Sequence, residues 1–71
     1  MQNMNDESKK LGQNLKRIRI KEGVSQEYIA RALGIDRAFI SNIENGKTNP
    51  TLATIARLAK VIKVSVSELL K

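Results

Sequence analysis

An all-α domain of five short helices is the fold predicted for this chain, and three features of the sequence point to it. Apolar residues recur at three- and four-residue spacing through most of its length. Side chains able to cap a helix (Ser8, Ser25, Asp36, Thr51, Ser65) stand ahead of those stretches. Gly23, Gly34, Asn45-Gly46 and Pro50 break the chain between them. The helices are expected at about 8–22, 26–33, 37–45, 52–62 and 66–70.

Met1 to Glu7 is polar and without periodicity, so residues 1–7 are expected to form a mobile arm ahead of a domain spanning 8–71. In the first helix Leu11, Leu15 and Ile18 make one apolar stripe, with Ser8 as its cap and Gly23 as its stop. Arg19 lies four residues after Leu15, on the same inward side, where a charge needs a partner. Lys9, Lys10, Lys16, Arg17 and Lys21 surround the rest of the helix and are read as solvated.

The second helix, opened by Ser25, buries Ile29, Ala30 and Leu33. Gln26 occupies its first turn, where free N–H groups and the helix dipole suit a phosphate that the side-chain amide can also reach. After the turn at Gly34, Asp36 can cap a third helix. At about 100° per residue, Ile40, Ile43 and Glu44 share its inner side. Its outer side carries Ala38, Asn42 and Asn45, with Arg37 and Ser41 on one edge and Phe39 on the other. Small and amide side chains let a helix approach a DNA groove and read base edges: Asn suits adenine, Arg guanine, and Ala the thymine methyl. Two capped helices joined by a glycine turn outline a helix-turn-helix, and each is too short to stand alone. Glu44 and Arg19 both face inward from different helices, so they are expected to meet in an ion pair that fixes the angle of the third helix.

Gly46 to Pro50 is a loop, and Thr51 caps the fourth helix. There Leu52, Ile55, Ala56, Ala59 and Ile62 are read as the buried stripe, with Leu58 on its margin and Val61 on the far side. Ser65-Val66-Ser67-Glu68 matches a capping box and opens a last short helix. Leu58, Val61, Val66 and Leu70 exceed what one small core needs and are expected to line a two-fold interface.

Composition narrows the function classes. Seventy-one residues make one domain near the lower size limit for an unstapled core, and 41% apolar with 28% charged residues is the balance of a globular chain. Cysteine and histidine are both absent, which removes disulfides, thiolate metal sites and most acid–base catalysis; no enzyme, cofactor or small-molecule ligand is expected. No apolar run is long enough for a membrane span, no signal peptide is visible, and a cytoplasmic location is expected. The net charge of +6, with a pI of about 10.1, favours a polyanionic partner.

The run Leu11-Gly12, Leu15, Ile18-Arg19, Gly23-Val24-Ser25-Gln26, Ile29-Ala30, Leu33-Gly34-Ile35, Ile40-Ser41, Ile43-Glu44-Asn45-Gly46, Pro50-Thr51-Leu52, Ile55, Leu58-Ala59, Val64-Ser65 and Leu69-Leu70 resembles the helix-turn-helix domain of lambdoid phage repressors, Cro and the XRE-type regulators. The resemblance implies a lambda-repressor-like five-helix domain that binds pseudo-palindromic operators as a homodimer. By position it places Arg37, Ala38 and Asn42, with Ser41 beside them, at the bases. Gln26, Asn45 and Lys47 fall at the DNA backbone, and Arg19 and Glu44 at a family ion pair. Glutamines that several phage repressors use at the Arg37 and Ala38 positions are absent, so their base preferences do not transfer. Asp36-Arg37-Ala38-Phe39-Ile40-Ser41 is similar to the controller proteins of restriction–modification systems. Repressor and controller roles both stay open. The competing class is an antitoxin or other protein-interaction module on the same fold; a membrane-surface role ranks below both, because the apolar faces are committed to the core.

Overall fold

The computed structural model describes residues 4–71, and it contains five helices in that span: α1 (Met4–Lys21), α2 (Gln26–Leu33), α3 (Arg37–Glu44), α4 (Leu52–Val61) and α5 (Val66–Leu70). Helix α1 begins four residues ahead of the predicted start. Of the expected N-terminal arm, Met4–Glu7 are helical, and Met1 to Asn3 lie outside the described residues. Apart from Met4 that first turn is polar and carries no apolar repeat; Asp6 and Glu7 stabilise it by their place at the positive end of the helix dipole. Ser8 is therefore not a cap. It lies within α1 and is buried.

Helix starts and stops follow local chemistry. The Ser25 hydroxyl accepts the Tyr28 N–H at 2.9 Å, Thr51 accepts that of Thr54 at 3.2 Å, and Ser65 that of Glu68 at 3.3 Å. Asp36 holds the cap position of α3 without a side-chain bond; the Phe39 N–H bonds its carbonyl at 3.0 Å instead. After α1, α2 and α3 the chain reverses through glycines in the left-handed region. After α4 that conformation falls to Lys63, at φ 63°.

Helix α3 packs on both α1 and α2; α4 meets α2 and α5, and α5 returns to α1. Leu15, Ile29, Ile40, Ile43, Leu58, Ile62 and Leu69 are the fully buried large side chains, drawn from every helix or its cap. Burying each contributes roughly 1.5–3 kcal/mol, enough to hold helices that would melt in isolation. Two side-chain amide or guanidinium groups tie distant segments: Asn14 Nδ2 donates to the Leu69 carbonyl at 2.9 Å, and Arg57 Nη2 to that of Leu33 at 2.9 Å.

The inner face of α4 is rotated from the predicted one. Leu58 is fully buried in the core and has no surface to offer a partner, so it does not belong to a two-fold interface. Leu52, by contrast, is 67% exposed, and Ala56 is exposed as well. Val61 is partly buried against the core rather than fully outward, Val66 is likewise half-covered, and Leu70 is 48% exposed.

Candidate nucleic-acid interface

The arrangement of α3 follows from what its inner side is attached to. Ile40 and Ile43 anchor it in the core, and Glu44 beside them accepts from Arg19 of α1 at 2.6 Å (Nε to Oε2) and 3.1 Å (Nη2 to Oε1). This forked geometry is the strongest form of the pair, and the side chains are only 14% and 3% exposed. The remaining Arg19 donor, Nη1, bonds the Val24 carbonyl at 3.0 Å, so the guanidinium also pins the loop that leads into α2. A lone buried charge at either position would be costly, and here each satisfies the other.

The carboxylate has a third donor. Gln26 Nε2 bonds Glu44 Oε1 at 2.9 Å, and Gln26 Oε1 accepts from Arg37 Nη1 at 3.3 Å. Arg19, Glu44, Gln26 and Arg37 thus form one chain of bonds from the buried side of α1 to the outer edge of α3. The Gln26 side chain, expected to reach outward to a phosphate, is turned inward as a strut between Glu44 and Arg37. Sequence reasoning missed this because the two partners lie 18 and 11 positions away and meet only after α2 and α3 pack.

On the outer side, Arg37, Ala38 and Asn42 are exposed, with Ser41 half-buried at the edge. Asn45 is exposed and its amide lies 3.4 Å from the Ser41 hydroxyl. The end of α3 is closed by the Gly46 N–H on the Ile43 carbonyl (3.0 Å) and the Lys47 N–H on that of Asn42 (2.9 Å), which leaves the Lys47 side chain exposed. An open polar groove runs between α1, α2 and α3, lined by Lys16, Gln26, Arg37, Ser41 and Asn45. Of the predicted base and backbone residues, Gln26, Arg37, Ser41 and Asn45 share this groove, while Ala38, Asn42 and Lys47 are exposed outside its lining. Val61, Val66 and Leu70 lie apart from it, on α4 and α5.

Among the described residues no cluster of acidic side chains could hold a metal ion, and no helix is long and apolar enough to cross a membrane. Five helices with a capped α2–turn–α3 pair, whose second helix presents small, amide and guanidinium groups outward, define a helix-turn-helix domain. Consistent with that, the helix-turn-helix family HTH_3 matches residues 15–69, and the chain belongs to it.

Relatives are similar over nearly the whole chain. The uncharacterized HTH-type transcriptional regulator y4dJ of Sinorhizobium fredii is 36% identical over 64 residues, covering 90% of this chain and 83% of that protein. Control protein C.MunI of Mycoplasma sp is 37% identical over 67 residues, covering 93% and 90%. Among solved structures, the restriction-modification controller protein C.AhdI from Aeromonas hydrophila superposes with a TM-score of 0.84 at 34% identity, over 90% of this chain and 97% of that one. The controller protein C.Esp1396I, solved as a tetramer on its natural 35 base-pair operator, gives 0.74 at 30% identity, over 90% and 95%.

Proposed function

We propose that this protein is a sequence-specific double-stranded DNA-binding transcriptional regulator that acts as a homodimer in the cytoplasm and is not an enzyme. The observation that carries the reading is the outward face of α3, where Arg37, Ala38 and Asn42 stand clear of the core on a helix held rigid by the Arg19–Glu44 pair. With α3 in the major groove, Arg37 donates to guanine or phosphate oxygens, Asn42 pairs with adenine, and Ala38 packs on a thymine methyl, with Ser41 at the edge. Asn45 and Lys47 hold the backbone and set register. At Gln26 the phosphate contact passes to main-chain N–H groups of the α2 first turn, while its side chain keeps Arg37 in position.

A second copy docks through Val61, Val66 and Leu70, placing two α3 helices about one helical turn apart, roughly 34 Å, on a pseudo-palindromic operator. The similarity to C.Esp1396I, solved as a tetramer on its operator, supports both DNA binding and assembly of more than one copy. Occupancy of the operator, set by protein concentration and dimerisation, is the means of control. Selection of bound sequences from random duplex DNA at two salt concentrations tests the reading. The expected result is an enriched motif with two-fold symmetry. Enrichment of no motif at either salt would overturn it and turn attention to a protein partner.

A further inference from the structure

We propose that Lys9 and Lys16, with Gln13 between them, form a phosphate-binding rail on α1 that grips the DNA backbone alongside the groove entered by α3. The proposal rests on the DNA-binding reading above and adds a third helix to the interface. Its geometrical basis is Gly12. A Cβ at that position would overlap the Ile43 carbonyl oxygen and come within 2.6 Å of that of Glu44, so the α1 backbone lies directly against the last turn of α3. At about 100° per residue, Lys9, Gln13 and Lys16 fall within an arc of about 60° beside Gly12. All three are exposed.

Two separate contacts bring the ends of this stripe to the end of α3. A Cβ on Gly46 would meet Lys9 Cγ at 2.9 Å and its Cα at 3.1 Å, so the lysine stem lies over the turn between Asn45 and Lys47. Lys16 lines the same groove as Arg37, Ser41 and Asn45. The carboxylates of that groove are already engaged: Glu44 by Arg19, and Glu27 by Arg31 at 3.3 Å. Among the described residues neither Lys9 nor Lys16 is in an ion pair, which leaves both ammonium groups available to an external anion. Seven residues of helix separate them by about 10 Å. A DNA strand presents a phosphate about every 3.4 Å of axis, so the rail is long enough to hold two separate phosphates.

Lys10 and Lys21 provide a matched control. They lie about 160–180° round α1 from Gly12, with Lys10 beside Leu70 of α5. Lys9→Gln with Lys16→Gln, and Lys10→Gln with Lys21→Gln, remove the same charge from two sides of α1 that lie about 100–140° apart. Affinity for the selected operator and for an arbitrary duplex would be titrated from 50 to 200 mM salt, using the full chain. Loss of two phosphate contacts lowers the slope of log affinity against log salt by about 1.8 per bound copy. Across that range the parent then loses about tenfold more affinity per copy than the Lys9/Lys16 variant. The expected result is that loss on both DNAs with the selected motif unchanged, and a slope within about 0.5 of the parent for the control. Equal slopes for the two double variants, or a Lys9/Lys16 variant that matches the parent, would overturn the rail. If the parent binds duplex but enriches no motif, the regulator reading falls while the slopes on arbitrary duplex still decide the rail. Failure of the parent to bind any duplex overturns both.

Discussion

Glu44→Ala is the substitution that most directly tests how α3 is held. It removes a carboxylate that accepts two bonds from Arg19 and one from Gln26. Arg19, whose side chain is 14% exposed, then keeps only the Val24 carbonyl as partner. Breaking one side of a buried pair costs about 3–5 kcal/mol. The residual exposure of Arg19 admits some water, which sets the expected loss near the lower end, about 3 kcal/mol. A chain of 71 residues has a total stability of only about 4–10 kcal/mol, so this is a large share of it. The matching fall in Tm is about 12–24 °C. Urea denaturation followed by far-UV circular dichroism, with a parallel thermal melt, measures both. A loss below about 1 kcal/mol would refute the claim that Arg19 depends on Glu44. The paired variant Arg19→Met, Glu44→Met removes both charges and should recover most of the stability, to within about 1.5 kcal/mol of the parent. Without Glu44 the Gln26 amide loses its anchor, so this stable variant should still lose selectivity at the base read by Arg37.

Gly12→Ala should destabilise by about 2–3 kcal/mol, because the new methyl meets two backbone oxygens that cannot move without separating α1 from α3. Helix propensity alone predicts a gain of about 1 kcal/mol, so the sign of the change in a denaturant titration decides between packing and propensity. Lys63→Gly should stabilise by about 0.5–1 kcal/mol, since φ 63° strains any residue with a Cβ; an unchanged or lower Tm would count against strain at that turn. Arg37→Ala should relax the selected motif at one position per half-site and cost about 1–3 kcal/mol of operator affinity, read by repeating the sequence selection and a fixed-salt titration.

The central pair of helices is legible because its instructions are local. Ser25 caps α2, glycines end both helices, and the inward positions of Ile29, Ile40 and Ile43 follow from spacing alone. Arg19 and Glu44 are legible for a different reason: two charges of opposite sign on inward faces have few other ways to be accommodated. Helix α4 shows where such reasoning stops. Its two candidate stripes, one through Leu52 and Ala56 and one through Leu58, differ by a small rotation. Packing against α2 and α5 decides between them, and it places Leu58 inside and Leu52 outside. The lysines of α1 are equivalent as letters. They become distinct only when Gly12 brings one side of the helix against α3. Gln26 reads as a phosphate ligand because its nearest sequence neighbours are those of a helix start, whereas its bonding partners come from the next helix.

The bond from Asn14 to the Leu69 carbonyl bridges 55 positions, and Leu69 itself is fully buried. Leu69 follows all four preceding helices in the chain, so the contact that seals the core beside α1 joins segments far apart in sequence. Helix α3, only eight residues long, gains a fixed form as this long-range packing closes around it. Closure of that long loop costs chain entropy before the buried leucine compensates it. A helix that touches no base in the proposed complex thus takes part in building the DNA-reading surface, through its packing on α1.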